Sequence, residues 1–157
     1  MKYLKLTNSA LRPVVDDEEW ERCKPLIWCL CGKKNQIQAW YGDTTIKLPN
    51  FIMRTNFMYD HKNRDFLDNR KENLRICNYS QNAANSSKKV IATSQHKGVY
   101  QNKRDGKWYA GIMKDYKKYW LGSFATEEAA AKAYDKAARK LFGEFANLNF
   151  PESGVSK

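Results

Sequence analysis

The sequence predicts an α+β protein: an N-terminal β-rich region, a small strand–loop–strand–helix unit, then a three-stranded antiparallel sheet packed on one helix. Three observations carry this expectation. Short apolar runs, "LIWCLC", "IQAW" and "TIKL", recur in the first 50 residues between turn signals. Three more strand-length runs, "KGVYQN", "KWYAGIM" and "KKYWLGSF", follow from Lys97 onward. Behind them comes one long alanine-rich stretch with helical spacing, "TEEAAAKAYDKAARKLFG".

The 157 residues, 42% hydrophobic and 13% aromatic, suffice for one ordinary domain or two small ones with modest cores. In the first block, residues 1–58, "DDEEWERC" reads as a short helix whose carboxylates sit at its positive N-terminal end. The three apolar runs after it read as strands, separated by the turns Gly32-Lys33-Lys34-Asn35 and Gly42-Asp43. This block reads as a β-rich support and shows no catalytic centre.

In the second block, "FMYDH" and "LRICN" read as short strands joined by the polar loop "KNRDFLDNRKEN". Ser80 suits an N-cap for a helical "QNAANSS". The small, polar and basic "SSKKVIATS" supplies a linker at residues 88–94, between domains at 1–87 and 95–150.

The third block is the clearest. Its strands are separated by turns at Arg104-Asp105-Gly106 and Lys114-Asp115-Tyr116. Alternation points Trp108, Ala110 and Ile112 to one face and Tyr109, Gly111 and Met113 to the other. In the last strand Tyr119 and Leu121 oppose Lys118 and Trp120. Thr126 is a good N-cap, Glu127 and Glu128 suit the helix start, and Gly143 suits a left-handed C-terminal position. Ala130, Ala133, Tyr134, Ala137 and Leu141 form one stripe, and "FANLNF" is placed to close the core.

Charge narrows the function. Lys and Arg number 28 against 17 Asp and Glu, a net charge of +11, which favours a polyanionic partner, most often nucleic acid. The imbalance grows along the chain, from 8 basic and 6 acidic residues in 1–50 to 12 and 7 in 94–157. No apolar run approaches the about 20 residues of a membrane span. The N-terminus lacks a signal-peptide pattern, so a cytoplasmic location is expected. Cys23, Cys29, Cys31 and Cys77 fit no zinc spacing and no secreted disulfide framework, and read as reduced thiols.

Two resemblances sharpen these expectations. The runs "KGVYQNKRDGKWYAGI", "YWLGSFATEEAAAKAYDKAA" and "FGEFANLNFP" resemble the Apetala-type DNA-binding domain of plant ethylene-response factors. The run "YDHKNRDFLDNRKENLRICNYSQNAAN", within residues 59–87, resembles the HNH (ββα-metal) motif of homing endonucleases. That second resemblance implies a metal-dependent DNA endonuclease that hydrolyses phosphodiester bonds, with His61 as general base and Asn73 pinning the loop that holds it. Asp60 and Asn82 would hold one divalent ion, magnesium or manganese, as hard oxygen donors. Asn69 and Asn85 receive no role.

The first resemblance implies double-stranded DNA as partner, with no small-molecule cofactor and no membrane. Its DNA-facing positions fall on Lys97, Tyr100, Lys103, Arg104, Lys107, Met113, Lys118 and Trp120. Lys97, Arg104, Lys107 and Lys118 would neutralise phosphates, and Tyr100 and Trp120 would pack on sugars or bases. Two departures stand out. Tyr100, Gly111 and Met113 occupy positions where plant members carry base-reading arginines and a glutamate, so guanine readout by paired arginine bonds is largely missing. Pro49-Asn50 stands where relatives of the nuclease often carry His-Arg. The alternative reading is therefore a sequence-specific DNA-binding regulator whose HNH-like unit is inactive.

Overall fold

A computed structural model describes residues 1–32, 35–87 and 93–151. The chain divides into a unit spanning Met1–Cys77 and a second beginning at Asn78.

In the first unit β1 (Lys2–Tyr3) pairs antiparallel with β2 (Val14–Val15), and α1 (Asp17–Cys23) follows, with Asp17, Glu18 and Glu19 in its first turn. Next, β3 (Trp28–Cys31), β4 (Gln36–Tyr41) and β5 (Thr44–Lys47) form an antiparallel sheet in that order, with Trp28 opposite Ala39 and Ala39 opposite Ile46. Lys33 and Lys34 of the expected turn lie outside the described residues.

A helix that the sequence reading lacks, α2 (Leu48–Met53), comes directly after β5. Pro49 sits in its first turn, where the missing N–H costs no hydrogen bond. Asn50 donates to the carbonyls of Thr55 and Phe57, both at 2.9 Å, and so ties down the exit from the helix. Strands β6 (Tyr59–His61) and β7 (Leu74–Ile76) close the unit as an antiparallel pair. The core gathers Leu4, Leu6, Val15, Trp28, Leu48 and Ile52, and the Trp28 indole N–H donates to the Cys23 carbonyl at 2.9 Å. Cys23 and Cys77 are buried, and desolvation pushes both thiols up to about 11.

The second unit opens with α3 (Tyr79–Asn85). Its N-cap is Asn78, not the expected Ser80: Asn78 accepts from the Gln81 N–H while the Gln81 side chain accepts from the Asn78 N–H. Ala84 packs with Ile112, Tyr134 and Phe142, so the helix that the sequence attaches to the β6–β7 hairpin belongs to the second unit. The division between the units falls between Cys77 and Asn78, inside the span 59–87. Of the expected linker, 88–92 lie outside the described residues, and Ser94 is buried with its hydroxyl donating to Glu127 at 2.6 Å.

Strands β8 (Val99–Gln101), β9 (Trp108–Lys114) and β10 (Lys117–Phe124) form an antiparallel sheet with β9 central, and α4 (Glu127–Phe142) packs on one face. The register shifts between Trp120 and Gly122, making Leu121 the extra residue of a bulge. The bulge lets both Leu121 and Phe124 reach the core, while Trp120, opposite Gly111, stays on the outer face. Thr126 caps α4 by accepting from the Ala129 N–H. The buried face of α4 runs through Ala130, Ala131, Tyr134, Ala138 and Phe142, displacing the expected stripe because Ala133 and Ala137 sit at its edge. Gly143 has positive φ as expected, but its ψ of −125° is not left-handed helical. Asp135, buried, accepts from the N–H groups of Asn149 and Phe150 at 2.8 Å and anchors the closing tail.

Candidate nucleic-acid interface

The loop between β6 and β7 bonds chiefly to itself. Asn73, buried at its end, accepts from the Asn63 N–H at 3.0 Å and donates to the Asp68 carbonyl at 2.7 Å and the Asn63 side chain at 3.0 Å. Asp68 takes two parallel bonds from Arg70, each 2.8 Å, and this pairing holds its carboxyl below the usual range. Asn69 donates to the Phe66 carbonyl at 2.9 Å, which fixes its amide and leaves its oxygen facing His61 Nε2 at 3.2 Å. The His61 proton therefore sits on Nε2, donating to Asn69.

Asp60 is buried opposite Arg75 across the hairpin, and its Oδ2 accepts from Arg75 Nε at 2.9 Å and Nη2 at 2.7 Å. Asn82 is exposed on α3, in the other unit. Among the described residues no three His, Cys, Asp or Glu side chains converge on a common point. Asp60, the carboxylate expected to hold an ion, is paired with the Arg75 guanidinium.

Burial lowers the His61 pKa below 6.5, against the bond to Asn69 and the charges of Asp60, Asp65 and Asp68. A histidine depressed in the folded state stays neutral while the unfolded chain takes up a proton. Stability should therefore be full above pH 6.5 and decline as pH falls toward the depressed value. This loss should precede that of Asp68, whose ordinary value is 3.8. Urea melts of His61→Gln across this range should show a flatter profile; an unchanged slope would remove His61 as the cause.

The second unit presents a different surface. On the sheet face away from α4, Tyr100 meets Tyr109 edge-on with ring centroids 5.6 Å apart, and Tyr109 meets Trp120 at 4.7 Å. The Tyr109 hydroxyl donates to Asp105 and accepts from the Asn102 amide, both at 2.7 Å, which locks the middle ring. Trp120 is 55% exposed and Met113 62%, so neither belongs to the core. Lys118 Nζ lies 5.3 Å from the Tyr100 ring centroid, its stem crossing the bare backbone of Gly111. Lys103, Arg104 and Lys107 are exposed around the β8–β9 turn.

Seven of the eight expected positions therefore share this face or its end. The exception is Lys97, whose ammonium donates to the carbonyls of Ala83 at 3.1 Å, Ala84 at 2.5 Å and Ser86 at 2.7 Å. It satisfies carbonyls at the C-terminus of α3, where a cation is favoured, instead of facing outward. Tyr109, Asn102 and Asp105 form a scaffold for the aromatic row that is absent from the expected positions. Alternation did place Tyr109 on the right face, but its neighbours become visible only with the strand register.

Comparison with known proteins bears on this unit. Residues 94–144 match the AP2 domain. Dehydration-responsive element-binding protein 2D of Arabidopsis thaliana is 50% identical over 64 residues, covering 40% of this chain and 31% of the relative. Dehydration-responsive element-binding protein 2E of Oryza sativa subsp. japonica is 52% identical over 62 residues, 38% of this chain and 19% of the relative. Ethylene-responsive transcription factor ERF024 of Arabidopsis thaliana is 48% identical over 60 residues, 37% of this chain and 33% of the relative. The chain spans a third or less of the length of these relatives. Their names overturn the expectation of a phosphodiester hydrolase: they are element-binding proteins and a transcription factor, not nucleases. The hydrolase, HNH and metal-dependent parts of that expectation fall with it.

Proposed function

We propose that this chain is a sequence-specific DNA-binding regulator that contacts double-stranded DNA with the outer face of β8, β9 and β10. The observation that carries this reading is the aromatic row Tyr100–Tyr109–Trp120 with cations at Lys103, Arg104, Lys107 and Lys118 around it. Such a surface suits a polyanion: the cations neutralise phosphates without reading sequence, while the central side chains meet base edges. The AP2 match over this unit supports the same surface. In this reading the first unit is a folded support, its polar loop held together by Asn73 and Asp68.

Titration of the full chain against duplex DNA at several salt concentrations tests the proposal. Four phosphate contacts imply that log affinity falls with log salt at a slope of about −3 to −4. Lys107→Ala should make that slope shallower by about 1 and weaken all duplexes alike. Trp120→Ala should instead cost about 1–2 kcal/mol of binding at nearly constant slope, as loss of an aromatic anchor. Because Trp120 is 55% exposed, its removal should leave the melting temperature almost unchanged. If both variants bind like the parent, DNA meets some other surface.

A further inference from the structure

On the proposed DNA face, the polar side chains of Asn102 and Asp105 are engaged within the unit. Asn102 is engaged at both ends of its amide: the nitrogen donates to Tyr109 at 2.7 Å and the oxygen accepts from the Arg104 N–H at 3.0 Å. Asp105 accepts from the Lys107 N–H and the Tyr109 hydroxyl. Beside the Lys118 stem that crosses Gly111, the side chains left outward here are apolar: Met113 at 62% exposure, two residues along the strand from Gly111, and Trp120 at 55%, directly across from it.

Exposed thioether and indole surface costs free energy in water and is relieved only by apolar contact. Among the base edges in the major groove, the thymine C5-methyl is the one apolar group. The surrounding cations commit this apolar patch to a polyanionic occupant rather than to a second protein. We propose that the face reads thymine methyl groups, with Met113 and Trp120 as the specificity-determining side chains. The inference rests on the DNA-binding reading above and adds to it the chemical group recognised. Sequence preference then follows methyl positions, not guanine acceptors.

The test uses the full chain and a duplex enriched by it from a random-sequence pool. That duplex is made twice, once with thymine and once with uracil, which differ only by the C5-methyl. Each contacted methyl removed should weaken binding about fourfold, the worth of one buried methyl group. The salt slope should be the same for both duplexes, because phosphate contacts are untouched. Met113→Ser should weaken binding to the thymine duplex and shrink the thymine–uracil difference. Equal affinity for the two duplexes, or enrichment of sites lacking A·T pairs, would overturn the methyl inference while leaving DNA binding intact. A chain that binds no duplex even at low salt overturns the DNA-binding reading and this inference together.

Discussion

Gly98→Ala should destabilise the second unit by about 2–5 kcal/mol, from a positive-φ position and an overpacked core acting together. Gly98 has φ +74°, and a Cβ built there would lie 2.0 and 2.2 Å from two ring carbons of Tyr134 and 2.8 Å from the Gly111 carbonyl oxygen. Contacts that short require something to move. Tyr134 has little room to do so: it is 4% exposed and packs in one cluster with Ile112, Ala138 and Phe142. Its burial also pushes the phenol up to about 12, with the neighbouring Asp135 charge adding to the effect. Nor can Gly98 retreat, because its carbonyl accepts from the Gly111 N–H at 2.9 Å and so holds β8 on β9.

For a unit of this size each kcal/mol moves the melting temperature by about 4–8 °C. Thermal melts, with amide spectra following residues 99–145, would read the loss where it occurs. Pairing Gly98→Ala with Tyr134→Leu should restore part of the stability, because the second change opens the space that the first one fills. A Gly98→Ala variant melting within a degree of the parent would show that the ring yields freely. DNA affinity should fall with the fold, since Gly98 immediately precedes the strand that carries Tyr100.

Arg75→Ala should cost the first unit about 3–5 kcal/mol, the usual penalty for removing one partner of a buried ion pair. The Asp60 and Arg75 side chains are only 6% and 11% exposed, and Arg75 Nε and Nη2 donate to the same carboxylate oxygen, Oδ2. Removing the guanidinium leaves a carboxylate in a place that water barely reaches. Arg75→Lys should recover little, because an ammonium supplies a point charge in place of a planar fork. Asp60→Asn together with Arg75→Met removes both charges and should cost less than Arg75→Ala alone. Denaturant midpoints of the three variants decide this; if the double variant is the least stable, the pair contributes more than mutual neutralisation.

Local chemistry alone determined several parts of this protein. The Thr126 cap, the acidic first turn and the alanine spacing specify α4, and strand alternation separates Trp108, Ala110 and Ile112 from Tyr109, Gly111 and Met113. The outer face was legible for the same reason: a period of two assigns each side chain to a side before any partner is known. Helix α2 was less legible, because "LPNFIM" is too short for a helical period to stand out from a loop. The tertiary structure alone decided the partners. Only the hairpin register sets Asp60 opposite Arg75, turning an expected metal ligand into half of an ion pair. Only the packing of Ala84 against Tyr134 and Phe142 assigns α3 to the second unit, where its C-terminal carbonyls bind Lys97. Periodicity is a property of neighbours along the chain, so sequence carries it directly. The partner of a buried charge is chosen by burial and register between residues far apart in the chain, and these exist only once the chain has folded.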